Sequence, residues 1–211
     1  LEKELQAAEP LQLKALVAFA ERASRRPLAP AETESLLAFY RSLRAEKLTH
    51  EEALRDCVVS VLMSPAFTFR VDLPNKNGPV ARNGVQPLSD YELASRLSYF
   101  LWSSLPDREL MAHAAAGDLH RPDVLLAQAR RMAKDERVRG LATEFAGNWL
   151  DVRRFEEHNA VDRERFPAFT NELRAAMFEE PIRFTEDLVQ RNGSVLDFVY
   201  GKYTFVNAKN G

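Results

Sequence analysis

Glycine and cysteine are both scarce in this chain of 211 residues, which contains eight glycines and one cysteine, Cys57. A single thiol excludes an intramolecular disulfide, and the Cys-x-x-Cys-His pattern that attaches haem covalently is missing. No glycine-rich loop of the kind that binds phosphate is present either. The chain therefore has neither a disulfide framework nor a sequence motif for haem or nucleotide binding.

An excess of one charge is also lacking, because 29 basic residues balance 31 acidic ones and the formal net charge is −2. Arginine pairs at residues 25–26, 130–131 and 153–154 are spread over different predicted elements and alternate with acids. We interpret them as solvated surface and not as a patch for phosphate or nucleic acid. The composition gives no electrostatic reason to expect nucleic acid or an anionic membrane as a partner.

A long apolar run is absent too. The most aromatic stretch, LSDYELASRLSYFLWSSLPD (88–107), has far fewer consecutive apolar residues than the about 20 that cross a bilayer. Its apolar residues recur at i, i+4, i+7 and i+8 from Leu93, and aromatic residues occupy the other faces, which predicts a helix buried at the centre of a core. The expected core residues are Leu97, Phe100, Leu101 and Trp102.

Helix-forming residues are abundant, chiefly Ala, Leu, Glu and Arg, and the hydrophobic content of 45% suffices for a core. Capping boxes at Thr49–Glu52 and Ser89–Glu92 predict two helix starts. Prolines at residues 10, 30, 106 and 122 are predicted to begin further helices. We therefore predict an all-α fold, a multi-helix bundle.

The domain organisation is predicted from the break in helical periodicity at PNKNGPVARNGVQP (74–87), where Pro, Gly and Asn predict a linker loop. Residues 1–73 are predicted to form a small three-helix unit that packs on a larger helical unit, residues 88–211. We expect the larger unit to be cut short at its C-terminus. It includes a helix from about residue 170 to 191 with a kink at Pro181, and a final YTFVN stretch that could begin a strand.

Residues capable of chemistry do not form a catalytic pattern. His113 and His120 are seven residues apart, but Gly117 between them is predicted to end the helix, and no Asp, Glu or Cys joins them at metal-ligand spacing. Neighbouring acidic residues point in different directions on a helix, so they do not supply the facing carboxylates of glycoside hydrolysis. Glu179, Arg183 and Asp187 are predicted to form a solvated ladder of ion pairs. We predict no catalytic, cofactor-binding or metal-binding residue, which leaves open whether the protein is an enzyme.

Four residues are candidates for lining a ligand site: Trp102, Trp149, Glu92 and Arg96. Each tryptophan ends a predicted amphipathic helix and could stack on a sugar, but burial in the core is the favoured interpretation because these rings bury large apolar areas. Glu92 and Arg96 lie one helical step apart and are predicted to pair. Cys57, inside an apolar helical run, is predicted to be inert packing.

Long stretches of the chain resemble two bacterial families of domains of unknown function. FAERASRRPLAPAETESLLAFYRSLR followed by VVSVLMSPAFTFRVD resembles the family numbered 1595. LSDYELASRLSYFLWSSLPDRELMAHAAAGDL, FAGNWLDVRRFE and SVLDFVYGKYTFVN resemble the family numbered 1592. The two resemblances cover nearly the whole chain, first the N-terminal and then the C-terminal part.

The resemblance implies a biological setting, because such domains belong to large exported bacterial proteins, usually behind a c-type cytochrome domain. It implies a periplasmic or cell-surface location, haem c in an adjoining domain and no cofactor in this chain. The implied partners are other domains or subunits of the same cytochrome-associated protein, and an oligomer stays open. We therefore expect a helical scaffold or docking module that supports electron transfer.

Two alternatives stay open beside the scaffold. The first is a domain of a secreted enzyme that acts oxidatively or hydrolytically on environmental polymers such as polysaccharide. The aromatic content and the exported setting that the resemblance implies suggest this alternative. The second is a homo-oligomeric component of a shell or filament.

Overall fold

The computed structural model describes residues 2–69, 86–155 and 161–207, with side chains from Ala8 onward. The described part is helical and contains no strand, which confirms the all-α prediction. A 3-10 turn spans Glu136–Val138 and a π-helical turn spans Ala142–Ala146. The helices are α1 Glu2–Ser24, α2 Pro30–Ala45, α3 His50–Met63, α4 Pro65–Thr68, α5 Asp90–Trp102, α6 Arg108–Ala116, α7 Pro122–Ala133, α8 Arg139–Leu141, α9 Gly147–Trp149, α10 Asn171–Gln190 and α11 Asp197–Tyr200.

The chain divides into two compact units whose boundary lies inside α5. One unit comprises Leu1–Ser95 and Asp107–Gly117, and the other comprises Arg96–Pro106 and Asp118–Gly211. The predicted linker, residues 74–87, lies outside the described residues except for Gln86 and Pro87. None of the described helices combines the length and the hydropathy needed to cross a membrane.

Several helix ends form as the sequence predicts. The Thr49 hydroxyl accepts the Glu52 N–H, and the Thr49 N–H donates to the Glu52 carboxylate at 2.8 Å. The Ser89 N–H likewise donates to the Glu92 carboxylate at 2.7 Å. These contacts confirm both capping boxes. In each box, side-chain oxygens accept hydrogen bonds from backbone N–H groups at the helix N-terminus, which have no acceptor within the helix.

The scarcity of glycine shows at the helix C-termini, where the chain turns through left-handed backbone conformations. Gly117 has φ +70° and ends α6 as predicted, but other residues in this conformation are not glycine. After α10, the Gly193 N–H bonds to Leu188 O and the Asn192 N–H to Val189 O, which is the Schellman pattern of helix termination. The non-glycine residues with positive φ are Arg25, Lys47, Ser103, Asp151 and Asn192.

The first three helices share a core in which Leu16, Tyr40, Ala53 and Cys57 are buried. The Tyr40 hydroxyl lies 2.6 Å from Nδ1 of His50, and Nε2 of the same ring donates to a Gln12 side-chain oxygen, so one histidine joins all three helices. Burial raises the pKa of the Tyr40 phenol and that of the Cys57 thiol. The Cys57 thiol is therefore disfavoured as a thiolate nucleophile, in agreement with the packing interpretation.

Arg25 corrects the prediction that the paired arginines are solvated, because only 7% of this residue is exposed. Its guanidinium donates to the carbonyl oxygens of Ala66 at 2.7 Å and of Phe69 at 3.2 Å. Carbonyls at a helix end lack partners within the helix, and an arginine offers five N–H donors to satisfy them. Arg25 therefore fixes the chain where it leaves α4.

The buried face of α5 differs from the predicted one. Phe100 is 64% exposed, so its assignment to the core is wrong, whereas Leu101 and Trp102 are buried as expected and Leu97 is half-buried. The fully buried residues earlier in the helix are the small ones, Ala94 and Ser98. The buried stripe is thus shifted by one residue, a rotation of about 100° around the helix axis.

Three smaller expectations are also corrected or left open. The first helix begins at Glu2 rather than at Pro10, which lies inside it. Residues 201–207 have no regular secondary structure, so the predicted strand start is wrong. Helix α10 continues through Pro181, and a kink there stays a prediction.

Candidate functional site

Trp102, the last residue of α5, is an anchor and not a stacking platform. Its indole N–H donates to the Met132 carbonyl at 3.0 Å, and only 3% of the residue is exposed. The Arg137 guanidinium lies 3.5 Å from the ring centroid and covers it. A buried indole whose N–H is paired contributes packing and a cation–π contact, and a ligand has no open ring face to stack on.

Gly140 in α8 lies directly against the end of α5. A Cβ atom at this position would come within 2.3 Å of the Trp102 carbonyl oxygen, closer than real side chains approach backbone. Only glycine therefore allows the two helices to approach so closely.

An open depression of about 620 Å³ lies beside this contact. Its walls include the hydroxyl-bearing Ser103 and Thr143 and the charged side chains of Arg139, Arg183 and Glu186. They come from the end of α5, α8, the π-helical turn and α10. Residues from distant parts of the chain thus meet in one polar concavity.

Four charges form a network at this depression. The two terminal nitrogens of Arg139 each donate to Glu179 at 2.7 Å, and Nε of Arg183 donates to Glu179 at 2.8 Å. Hydrogen bonds from Arg139 lower the pKa of the Glu179 carboxyl, and Glu179 in turn raises the pKa of Arg139. Glu179 is therefore held ionised and is a poor general acid.

Glu186 occupies an unusual position in the network. Its Oε2 atom is buried and accepts no hydrogen bond from the described residues. The Nη1 atoms of Arg139 and Arg183 both lie 3.6 Å away, within ion-pair distance but beyond hydrogen-bond distance. This carboxylate oxygen is thus enclosed between two cations and closed to solvent.

A second feature, which we call the aromatic surface, consists of six rings in continuous contact. Phe145 stacks on Trp149 with centroids 6.0 Å apart, and Trp149 meets Phe198 edge-on at 5.3 Å. Phe184 stacks on Tyr203 at 4.9 Å. The six rings are Phe145, Trp149, Phe184, Phe198, Tyr203 and Phe205.

The segment 195–200, which includes α11, has apolar residues on two sides. Phe198 packs inward on the aromatic surface, whereas Val199 and Tyr200 are 74% and 73% exposed. Val195 and Leu196 are also largely exposed. We call these four exposed side chains the outward face: Val195, Leu196, Val199 and Tyr200.

Charged groups near the aromatic surface are paired with one another. Arg191 donates to Asp187 at 2.9 Å and to Asp197 at 2.7 Å, and it also contacts the Tyr203 hydroxyl. These hydrogen bonds raise the pKa of Arg191, and the bond that Arg191 donates to Asp197 contributes most. The bonds fasten the last described residues to α10 and leave the apolar side chains as the accessible contacts.

The four predicted ligand-lining residues have different roles in the structure. Trp102 borders the depression but is covered, and Trp149 is 56% exposed, so the core assignment is right for Trp102 and wrong for Trp149. The Glu92 carboxylate caps the N-terminus of α5. Its pairing with Arg96 stays a prediction.

Sequence reasoning missed the residues that the depression depends on. Glu179 and Arg183 were expected to pair along α10, and they do, but Arg139 enters from 40 residues away. The presence of Gly140 in an otherwise glycine-poor helical region was the available signal. Among the described residues, no cluster of three His, Cys, Asp or Glu side chains has an arrangement that would hold a metal ion.

Comparison with known families gives two matches. Residues 13–72 match the family model described as PSD5, protein of unknown function (DUF1595). Residues 88–211 match the model described as PSD4, protein of unknown function (DUF1592). No curated protein and no solved structure gave a match. Because the second match spans more than half of the chain, the protein belongs to the PSD4 (DUF1592) family.

Proposed function

We propose that the chain is a helical docking module of an exported, c-type-cytochrome-associated multidomain bacterial protein, where it holds other domains or subunits in position for electron transfer. The single observation that supports docking is the outward face beside the aromatic surface, where Val199 and Tyr200 are 74% and 73% exposed. The cytochrome setting and the exported location rest on the family resemblance. Haem c would lie in an adjoining domain, since this chain has no Cys-x-x-Cys-His motif.

The outward face has the composition of an interface core. Apolar side chains that are exposed singly are normal on protein surfaces, but a contiguous group of them often marks an interaction site. Tyr and Trp are enriched where partners bind, and charged residues are depleted there. Since Arg191, Asp187 and Asp197 pair with one another, a partner would meet apolar groups rather than unpaired charges.

Hydrogen–deuterium exchange tests the docking. The exchange of residues 142–150 and 195–206 is to be compared in the 211-residue chain and in the natural protein with its adjoining domains. We expect both segments to be protected only in the longer protein, because a docked partner excludes water from their amides. Equal exchange in the two proteins would contradict docking at this surface.

A charge-introducing variant tests the role of the outward face directly. Val199→Asp with Tyr200→Asp places two carboxylates on exposed positions, so the fold should persist while the docked state is lost. Met63→Asp is the matched control, because Met63 is a comparably exposed apolar residue on α3. Retained protection of residues 195–206 in the double variant would refute the assignment.

The electron-transfer part of the proposal has its own test. In the natural protein we expect a haem absorption spectrum, and we expect the double variant to change the rate of haem reduction by an external donor. A natural protein without haem would remove this part of the proposal while leaving the docking surface intact.

The polymer-degrading enzyme remains an alternative because Trp149 is 56% exposed and stacks on Phe145. An exposed pair of aromatic rings offers a flat apolar surface on which a sugar ring could stack. Hydrolysis would need a carboxylic acid with a raised pKa facing a carboxylate. Release of reducing ends from a polysaccharide by the natural protein would favour this alternative. No release and no electron uptake in the presence of polymer would count against it.

A further inference from the structure

We infer that residues 194–207 form a strap that closes over Phe184 of α10 and opens as one unit, with the Arg191 side chain as its latch. The strap follows the end of α10 and returns along the same helix, where the Tyr203 ring stacks on Phe184. All of these residues belong to one of the two compact units. The inference is independent of the docking proposal, because it concerns the 211-residue chain without a partner.

The strap has little buried surface. Of residues 194–207, only Asp197 and Phe198 are half-buried, and none is fully buried. Beneath the strap, in contrast, α10 contains the fully buried Ile182 and Thr185. Segments with few buried contacts open at a small cost in free energy while the core stays folded. We therefore expect the strap to open without unfolding of α10.

The apolar contacts of the strap meet at a single ring on α10. The centroid of the Phe184 ring lies 5.4 Å from that of Phe198 and 4.9 Å from that of Tyr203. Two parts of the strap thus share one anchor, and losing either contact frees the chain between them. The strap should therefore open as a whole, and Phe184 becomes accessible to solvent when it does.

The polar contacts meet at Arg191, the residue that caps the end of α10. Its guanidinium donates to Asp197 at 2.7 Å and contacts the Tyr203 hydroxyl, so it bonds to both halves of the strap. It also donates to Asp187 of α10 at 2.9 Å. The charged side chains are between 30% and 41% exposed, so dissolved salt screens their attraction. Opening should therefore become more frequent as the salt concentration rises.

Gly201 is the position where the strap passes closest to the helix. A Cβ atom there would lie 2.5 Å from the Asp197 carbonyl oxygen and 3.2 Å from the Cζ atom of Phe184. A side chain at this position would keep the strap away from Phe184. Gly201 therefore offers a way to open the strap without changing any charge.

Hydrogen exchange followed by nuclear magnetic resonance tests the inference on the 211-residue chain. The amides of residues 197–201 donate to carbonyls within the strap, mostly in the four-residue helix α11. So short a helix is not stable by itself, so these amides exchange whenever the strap leaves α10. We expect one common opening free energy for all five, well below that of Ile182 and Thr185. Opening free energies that decrease steadily towards residue 201 would show fraying and would overturn the inference.

The first variant removes the latch. Arg191→Gln should accelerate exchange of residues 197–201 about three- to tenfold, because two exposed ion pairs are lost. In the wild type, raising the sodium chloride concentration from about 50 mM to about 1 M should have the same direction of effect. Arg153→Gln is the matched control, since Arg153 pairs with Glu144 at similar exposure and neither residue belongs to the strap.

The second variant keeps the strap open by its shape. Gly201→Ala should accelerate the same amides at least about tenfold, because the added methyl group cannot be accommodated in the closed strap. Gly147→Ala is its control, since a Cβ atom there meets nothing closer than 4.0 Å. Unchanged exchange in both Arg191→Gln and Gly201→Ala would overturn the inference. Equal acceleration of the Ile182 amide would also overturn it, because the helix would then be opening with the strap.

Discussion

Among the described glycines, Gly140 is the one where an added Cβ atom would come closest to a neighbouring atom. Its missing side chain allows α8 to lie against the last carbonyl of α5, with Trp102 O only 2.3 Å from where a Cβ would be. Backbone atoms cannot swing aside as a flexible side chain does. The polar depression therefore depends on the absence of one methyl group.

We expect Gly140→Ala to destabilise the protein by about 2–3 kcal/mol, because the added methyl group must push two helices apart. Gly147→Ala is the matched control, since Gly147 is also helical and its Cβ would meet nothing closer than 4.0 Å. There the higher helix propensity of alanine should stabilise by about 0.5–1 kcal/mol. Urea denaturation of both variants measures the difference, and effects of the same sign would contradict the steric account.

Single residues were predictable where their partners are close in sequence. Thr49 and Ser89 were identified as caps because each bonds three residues ahead. Arg25 was not identified, because the carbonyl acceptors that it binds at the end of α4 lie more than 40 residues away. Every residue has a backbone carbonyl oxygen, so the residue types do not indicate which carbonyls a guanidinium will bind.

At the scale of the element, α5 shows why amphipathic patterns locate a helix better than its buried face. This helix carries large apolar side chains on most of its faces. Their periodicity therefore fits two choices of buried face, which differ by a rotation of about 100° around the helix axis. Ala94 and Ser98 select the observed one, because small side chains permit close packing. The existence of the helix was predictable, and its rotation depended on tertiary packing.

The two orientations predict opposite results for neighbouring residues. Leu101→Ala should lower the free energy of unfolding by about 2–4 kcal/mol, because it removes a buried side chain. Phe100→Ala should cost less than about 1 kcal/mol, since its ring is 64% exposed. Denaturant titration of both variants is the measurement, and a larger loss for Phe100→Ala would restore the orientation expected from sequence.

The start of α2 gives a prediction about pH. Glu32 accepts hydrogen bonds from the Arg26 guanidinium at 2.7 and 2.8 Å and from the Ala29 N–H at 2.7 Å, and the first of these contacts contributes most to lowering its pKa to about 2. The lowered pKa stabilises the fold above the ordinary glutamate value, and this contribution is lost as the pH falls towards 2.

Accordingly, Glu32→Gln should destabilise the protein at neutral pH and have little effect near pH 2. Urea denaturation of the wild type and the variant across this range checks the trend. Glu34→Gln on the same helix removes an exposed ion pair with Arg41 and should have a smaller effect at neutral pH. A Glu32→Gln effect that does not depend on pH would contradict the assignment.

At the scale of the whole molecule, the single cysteine and the two tryptophans can serve as probes of unfolding in different units. Cys57 lies in the unit that begins at the N-terminus, and Trp102 and Trp149 both lie in the other unit. Cys57 is fully buried, so a thiol reagent reaches it only when its surroundings open.

Because α5 runs from one unit into the other, we expect the two to unfold together. Thiol reactivity of Cys57 and tryptophan fluorescence should then give the same denaturation midpoint. Cys57→Ser, monitored by fluorescence, controls for any effect of the label. Two separate midpoints would show that the helix does not couple the units.

The π-helical turn at Ala142–Ala146 has a consequence for how this part of the chain tolerates insertions and deletions. Such a turn accommodates one amino acid more than an α-helical turn, so the chain that follows is out of phase by about 100° with an uninterrupted helix. Removing a single amino acid there would bring the helix back into phase and point Trp149 in a new direction. A deletion of one amino acid would thus disturb the chain on both sides of the turn more than most substitutions.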